Sequence, residues 1–183
     1  MGDRRNINGT AYALTVFTAI IPGHEKELLT TIENVARGAD SPLARLGTVH
    51  TSRLQIFDHL VHQGPSQRPD ALKSNYLVFT AAFDGELEPF LDSILDRTPE
   101  ADEWWRHCVG YPGLGARMEF KRWIRHNQIH TSLFAINSPN RSVSEVVESL
   151  ALREQLLEFA MSAQGLNATE LHARFRQTFV EGR

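Results

Sequence analysis

The stretch SNYLVFTAAFDG, residues 74–85, decides how the rest of the chain is interpreted. It combines aromatic and β-branched residues and carries no charge before Asp84, a composition typical of a strand covered on both faces. The dipeptide Asp84-Gly85 is a turn signal that ends the run. The stretch therefore predicts the central strand of a sheet.

Three further strands and several helices are predicted around this centre. The stretches 10–20 and 50–61 have strand composition before it, and HTSLFAINS, residues 130–138, predicts a fourth strand after it. Helical spacing of apolar residues lies at 24–37, 86–97, 101–109, 117–128, 142–165 and 167–180. The order is βαββαβ with extra C-terminal helices, which predicts an α+β, ferredoxin-like antiparallel sheet.

Composition favours one domain and narrows the class of partner. Of 183 residues, 42% are hydrophobic, enough for one core, and we interpret 1–183 as a single domain with a ferredoxin-like core at 10–138 and a helical extension at 142–180. A net charge of −3 argues against nucleic acid as a partner. No run approaches the roughly 20 apolar residues of a membrane span. A single cysteine and an N-terminus without an apolar run favour a cytoplasmic location.

Both faces of the predicted sheet carry large apolar side chains. In the central strand Phe79 and Phe83 share one face, whereas Tyr76 and Val78 share the other. Helices on one face only would leave the other face in water. We therefore expect a second subunit to pack its sheet there and form a homodimer. The alternative is that the C-terminal helices cover this face.

The strand order and the apolar sheet resemble the dimeric α+β barrel superfamily over roughly residues 10–138. That superfamily includes the antibiotic-biosynthesis monooxygenases, the chlorite dismutases and the dye-decolourising peroxidases. The segment AAFDG, residues 81–85, is similar to the end of the peroxidases' Gly-x-x-Asp-Gly motif, with Ala81 at the position of the first glycine. The resemblance implies a cavity for a small aromatic substrate or for haem, and oxygen or peroxide chemistry.

Two polar residues at the start of the second strand are candidates for chemistry. His50 is a candidate proton acceptor or haem ligand, and its alternative is a structural bond to a backbone carbonyl. Arg53 is a candidate for binding a substrate carboxylate, and its alternative is an ion pair with Asp58 or Asp84. Alternation along a strand puts His50 and Arg53 on opposite faces, so they can line one pocket only if a bulge intervenes.

The segment RHCVGYPG, residues 106–113, is either a chemical site or a tight turn. Gly110 and Gly113 around Tyr-Pro are typical of a turn after a helix. His107 is nevertheless a candidate catalytic or cofactor-binding residue. Cys108 is interpreted as inert packing, unless a histidine such as His50 comes near it in space.

No metal site is predicted from side-chain spacing. The pairs His59/His62 and His126/His130 do not share one helix with a carboxylate between them, as a zinc site of the HExxH type requires. A lone cysteine beside His107 also lacks the second thiolate of a structural zinc site.

Two functions of different classes follow. The first is a small-molecule enzyme, with His50, Arg53, Asp84 and His107 around an apolar cavity, acting on an aromatic or lipid-like substrate as a haem-dependent or oxygen-dependent oxidoreductase. The second is a non-catalytic module whose apolar sheet face binds a ligand or a partner protein. The second hypothesis predicts that substitution of Phe79 or Phe83 abolishes association.

Overall fold

A computed structural model describes residues 4–60, 64–65 and 71–181. These residues form a mixed α+β structure with a four-stranded antiparallel sheet. The strands are β1 (Ile7–Asn8), β2 (Ala11–Ala19), β3 (Val49–His59) and β4 (Ala71–Asp84). The helices are α1 (Glu25–Glu33), α2 (Leu87–Arg97), α3 (Glu100–Trp105), α4 (Arg117–His126), α5 (Val143–Ser162) and α6 (Ala168–Phe179). The strands predicted at 10–20, 50–61 and 74–85 are confirmed as β2, β3 and β4, although Val61 of the second range, like His62 of the histidine pair His59/His62, lies outside the described residues.

The strands lie in the order β1-β2-β4-β3, so β4 is central as predicted. The pair of β2 and β4 runs in register from Ala11 opposite Asp84 to Ala19 opposite Tyr76. Alternation along these strands gives an inner face, which carries Leu14, Val16, Leu77, Phe79 and Phe83. The outer face carries Ala13, Thr15, Phe17, Ala19, Arg53, Gln55, Phe57, Tyr76, Val78, Thr80 and Ala82.

Helices α1 to α4 supply the residues that bury the inner face. Leu77, Phe79 and Phe83 of β4 have no exposed surface. They share one core with apolar side chains of the four helices, namely Leu28, Phe90, Leu91, Ile94, Ala101, Trp104, Trp105, Phe120, Trp123 and Ile124. Phe83 stacks on Phe90 with ring centroids 3.7 Å apart, and this contact joins the end of β4 to α2.

The fourth strand predicted at 130–138 is wrong. Only Gln128 makes a bridge to β2, opposite Val16, and residues 131–138 form no strand. The physical reason is that β1 pairs with the start of β2 and occupies that part of its edge. Residues 131–139 are instead bonded to the N-terminal segment: the Thr131 amide donates to Asn6 Oδ1 (2.8 Å) and the Thr10 amide to the Pro139 carbonyl (2.7 Å).

Helices α2 and α4 are joined by a ladder of ion pairs. Acidic residues repeat every four positions on α2 and basic residues every four positions on α4, so each set forms one helix face. The members are Glu88, Asp92 and Asp96 on α2 and Arg117, Lys121 and Arg125 on α4. Lys121 lies in the middle, with its Nζ 2.6 Å from Asp92 Oδ1, and its side chain is only 10% exposed. The ladder joins α4 to α2, and Gln128, two residues after the end of α4, bridges Val16 at the edge of β2.

The chain divides into two compact units, the first ending at Val143 and the second beginning at Ser144. The second unit consists of α5 and α6, and neither helix has a buried residue. Asn167 caps α6, since its side chain accepts from the Thr169 and Glu170 amides in a capping box. Across the described residues, no helix combines the length and the hydropathy that crossing a membrane requires.

Candidate functional site

A histidine and a carboxylate meet at the end of the central strand. His50 Nε2 lies 2.9 Å from Asp84 Oδ1, and their side chains are 14% and 16% exposed. A carboxylate can only accept, so the imidazole donates through Nε2 and its Nδ1 is left as the basic nitrogen. This pair joins two of the predicted site residues across 34 positions of sequence.

A bulge in β3 brings His50 to this position. The pairing of β3 with β4 shifts between Val49, opposite Phe83, and Thr51, opposite Ala82, so His50 is the extra residue. Such a bulge re-aims side chains locally, which is common beside functional sites. Beyond it, the regular register resumes, with Arg53 opposite Thr80.

Asp84 is fixed from a second direction. Its Oδ2 accepts the Val143 amide at 2.8 Å, so both carboxylate oxygens are bonded. Gly85 follows with φ of +88°, a conformation that suits glycine, and turns the chain away from β4. Helix α2 is preceded by Glu86, which makes no side-chain cap. Asp84 is therefore committed to His50 and Val143 rather than to capping α2.

A cavity of about 490 Å³ lies beside this pair. Its apolar lining includes Phe79 and Trp104 from the core. Its polar lining includes His50, Arg53 and Ser41. Strand β3 is an edge strand whose consecutive residues 49–54 all border the cavity, so Arg53 reaches it although the register places Arg53 on the outer face. The complete lining is Ile32, Val35, Ala36, Arg37, Gly38, Ser41, Leu43, Ala44, Val49, His50, Thr51, Ser52, Arg53, Leu54, Phe79 and Trp104.

Arg53 makes no ion pair within the described part of the chain. The predicted alternatives were Asp58 and Asp84, but Asp58 Oδ1 lies 2.5 Å from His59 Nδ1 and Asp84 is bonded to His50 and Val143. Arg53 is exposed and lines the cavity. Its guanidinium can bind a carboxylate through two parallel hydrogen bonds.

His107, the fourth predicted site residue, does not line this cavity and lies far from Asp84. Its neighbour Cys108 forms a bridge with Ile20, beyond the end of β2, whereas Asp84 is opposite Ala11 at the start of β2. Nine residues of extended chain at about 3.3 Å each separate the two levels by about 30 Å. The structure thus bonds His50 to Asp84, places Arg53 with His50 at the border of the cavity, and places His107 elsewhere.

His107 instead meets His24, which the sequence patterns did not single out. The two Nδ1 atoms are 3.1 Å apart, and the carboxylate of Glu27 belongs to the same cluster. His107 is 2% exposed, and burial lowers the pKa of its imidazole. The available signal was His24 three residues before Glu27 at the start of a predicted helix, but its partner lies 83 positions away.

The rest of segment 106–113 is a tight turn. Gly110 and Gly113 have φ of +70° and +86°, which explains the two glycines. The indole of Trp123 donates to the Val109 carbonyl at 3.1 Å and holds the turn against α4. Cys108 is 1% exposed, and burial raises the pKa of its thiol to about 11. The interpretation of Cys108 as inert packing is therefore consistent with its environment.

His107 does not fit haem. An axial histidine needs a free ring nitrogen facing room for the macrocycle, while its other nitrogen is hydrogen-bonded. His107 Nδ1 faces His24 Nδ1 at 3.1 Å, and its Nε2 is buried in the core. For His50, whose Nε2 is bonded to Asp84, the role of haem ligand stays a prediction, and no step through haem is derived.

The cavity can hold a small, largely apolar molecule with an anionic group near Arg53 and a proton to give to His50. Asp84 would orient the imidazole, as in other carboxylate–histidine pairs. Comparison with protein-family models, with curated proteins and with solved structures finds no match to this chain.

Proposed function

We propose that the protein is a small-molecule enzyme that binds an apolar, carboxylate-bearing substrate in the cavity beside His50. Arg53 binds the carboxylate, and His50 Nδ1 accepts a proton from the substrate, whose electron pair stays on the substrate. The observation that carries the proposal is the bond of His50 Nε2 to Asp84 Oδ1, 2.9 Å, at the wall of a cavity of about 490 Å³. Pockets of 300 to 1,000 Å³ are typical for small ligands.

The reaction class rests on the resemblance to the dimeric α+β barrels. Helices on one face of an antiparallel sheet, with Gln128 bridging the edge of β2 where a fourth strand would lie, support the βαββαβ plan. That plan favours an oxidoreductase acting on an aromatic or lipid-like substrate. The residues present support only its proton-transfer and substrate-binding steps.

The binding step is tested with 2-naphthoate and its neutral analogue 2-naphthylmethanol, titrated by calorimetry. We expect naphthoate to bind more tightly, and Arg53→Gln to weaken naphthoate about tenfold while leaving the alcohol unchanged, because a charge-assisted bond contributes about 1.5 kcal/mol or more. Arg122→Gln, an exposed arginine of α4 that does not line the cavity, is the matched control. Equal binding of both probes, or equal effects of both substitutions, would overturn the proposal.

The proton-acceptor role is tested on the imidazole itself. We expect long-range ¹H–¹⁵N spectra to show His50 protonated at Nε2, with Nδ1 as the acceptor, and naphthoate binding to shift these resonances. Asp84→Asn should change the tautomer ratio of His50 while leaving His24 and His107 unaltered. A protein in which His50 carries its proton on Nδ1 would contradict the role.

We also propose that two copies associate through the outer face, which is the surface that the alternative function would use. Phe17 stacks on Tyr76 with centroids 4.6 Å apart, and Phe57 lies 6.5 Å from Phe17 and is 39% exposed. Phe79 and Phe83 have no exposed surface on the inner face, so the substitutions first suggested there would test folding rather than association.

Association is tested by native mass spectrometry and light scattering. A dimer that becomes monomeric with Phe57→Ser, but not with Thr80→Ser on the same face, supports a homodimer through the outer face. A monomeric wild-type protein would contradict the homodimer, and the outer face would then be a candidate surface for a different partner.

A further inference from the structure

The cluster of His24, Glu27 and His107 has the composition of a metal site. Each residue offers one ligand atom, and these atoms lie within 4.8 Å of one another. We propose that the three side chains bind one Zn²⁺ ion, through the two Nδ1 atoms and a Glu27 carboxylate oxygen. This proposal is independent of the function proposed for the His50 cavity, whose lining includes none of these three residues.

The backbone holds the two histidines in place before any ion binds. The Ile21 amide donates to the His107 carbonyl at 2.9 Å, and the His24 amide donates to the Ile21 carbonyl at 3.0 Å. The bridge between Ile20 and Cys108 continues the same contact. Because both histidines are tied to one residue, Ile21, little further ordering is needed to bring their rings together.

The separation of the ring nitrogens agrees with tetrahedral zinc. Two nitrogens bound at about 2.0 to 2.1 Å with a tetrahedral angle lie about 3.3 Å apart, close to the observed 3.1 Å between the Nδ1 atoms. Glu27 is exposed and lies in the first turn of α1, so rotation of its side chain can bring an oxygen to the ion. Asn75 and the Gly23 amide bind the neighbouring Glu25, which is thereby kept out of the cluster.

The donor set selects the kind of metal. Two imidazoles and one carboxylate are borderline ligands that favour Zn²⁺ over Mg²⁺ and Ca²⁺, which prefer all-oxygen sites. Three protein ligands also leave a fourth position for water or for a substrate, as in catalytic rather than structural zinc sites.

The surroundings of His107 Nε2 predict the affinity of the proposed site for Zn²⁺. This atom is buried and has no hydrogen-bond partner among the described residues. Ligating histidines usually donate their second nitrogen to an acceptor, and loss of that partner costs 10- to 100-fold in affinity. We therefore expect binding about 10- to 100-fold weaker than at a zinc site where every ligating histidine donates its second ring nitrogen to an acceptor.

The competing explanation is a hydrogen bond between two neutral imidazoles, one Nδ1 donating and the other accepting. That arrangement needs no metal and no Glu27. Only the metal site predicts that the full-length protein binds zinc at these residues, and only the metal site predicts that substitution of Glu27 lowers the zinc affinity.

The test is a titration of the full-length protein with Zn²⁺ in competition with a chromophoric chelator. We expect one ion per chain to depend on the cluster, a loss of affinity of more than about 100-fold for His24→Ala, and a loss of about tenfold for Glu27→Gln. Glu33→Gln, an exposed acid of α1 outside the cluster, is the matched control. Co²⁺ should give the visible absorption of a four-coordinate ion in the wild type and lose it in His24→Ala.

His24 and Glu27 are preferred to His107 for substitution because His107 is buried, and circular dichroism checks that each variant is folded. If the wild type binds no zinc, the hydrogen-bonded pair is the correct explanation. Zinc binding that survives both His24→Ala and Glu27→Gln lies elsewhere on the chain and also overturns the proposal.

Discussion

The His50–Asp84 pair and the His24–His107 pair occupy opposite ends of the same sheet and differ in what each histidine faces. His50 donates to a carboxylate and lines a cavity, whereas His107 faces another imidazole and is enclosed by the core. A carboxylate partner stabilises a protonated imidazole, whereas burial beside a second imidazole opposes it. The first environment suits proton transfer, and the second suits a neutral ligand for a metal.

The two ends also differ in how they are held. The Asp84 end depends on a side chain with two bonded oxygens, to His50 and to the Val143 amide. The His107 end depends on backbone bonds through Ile21. Substitutions of side chains should therefore disturb the first end more than the second, and the following predictions test that difference.

The largest effect is expected from Phe83→Ala. Phe83 has no exposed surface, stacks on Phe90 at 3.7 Å and on Tyr12 at 5.4 Å, and immediately precedes Asp84. Removing a buried phenylalanine costs about 3 to 5 kcal/mol of unfolding free energy, which denaturant unfolding measures. In the folded fraction, zinc affinity at the other end should be unchanged. A variant that also loses zinc binding would show that the two ends are not independent.

Asp84→Ala should have the next largest effect. It leaves the His50 imidazole and the Val143 amide without their acceptor, and hydrogen bonds to charged groups contribute about 1.5 to 3 kcal/mol. Urea unfolding measures the loss, and the matched variant Asp84→Asn, which keeps one acceptor oxygen, should lose less. Equal losses for both variants would mean that the charge of Asp84 carries the whole contribution.

The sequence located one end of the sheet better than the other. Strand composition and the Asp-Gly stop predicted β4 and Asp84, and the condition of a bulge for His50 and Arg53 followed from strand alternation. The bulge itself was not predictable, because it depends on the register of β3 against β4. The His24–His107 contact was missed because it depends on the path of the chain over 83 positions, which local patterns do not encode.

The fourth strand, which was predicted at 130–138, also shows that local sequence patterns do not encode tertiary contacts. HTSLFAINS has strand composition, yet residues 131–138 form no strand because β1, only two residues long, pairs with that edge of β2. A two-residue strand leaves no periodic pattern in the sequence. Tertiary competition for an edge therefore overrode a correct local preference.

His24→Ala should cost less than either substitution at the first end. In the metal-free protein it removes one hydrogen-bonding partner of His107 and leaves the backbone bonds of Ile21 in place. A single hydrogen bond contributes about 0.5 to 1.5 kcal/mol net. Unfolding in the presence of a chelator measures this loss, and a larger value would show that the side chains, not the backbone, hold this end.

The smallest effect is expected from Asp92→Asn in the ladder between α2 and α4, which serves as an exposed reference for the half-buried His50–Asp84 pair. The hydrogen bond from Lys121, and then that from Arg117, hold the pKa of Asp92 below its ordinary value although partial burial opposes them. A carboxylate with a lowered pKa stabilises the folded protein above its ordinary pKa of about 4, and this contribution is lost as the pH falls through the lowered value. At pH 7, Asp92→Asn should therefore lower stability slightly, and the difference from the wild type should shrink as the pH falls through the lowered pKa. High salt should also reduce the difference, because exposed ion pairs are screened, whereas the cost of Asp84→Ala should change little with salt. Thermal unfolding of both variants at low and high salt measures the contrast, and equal salt dependence would show that the Asp84 carboxylate is as accessible to solvent as the ladder.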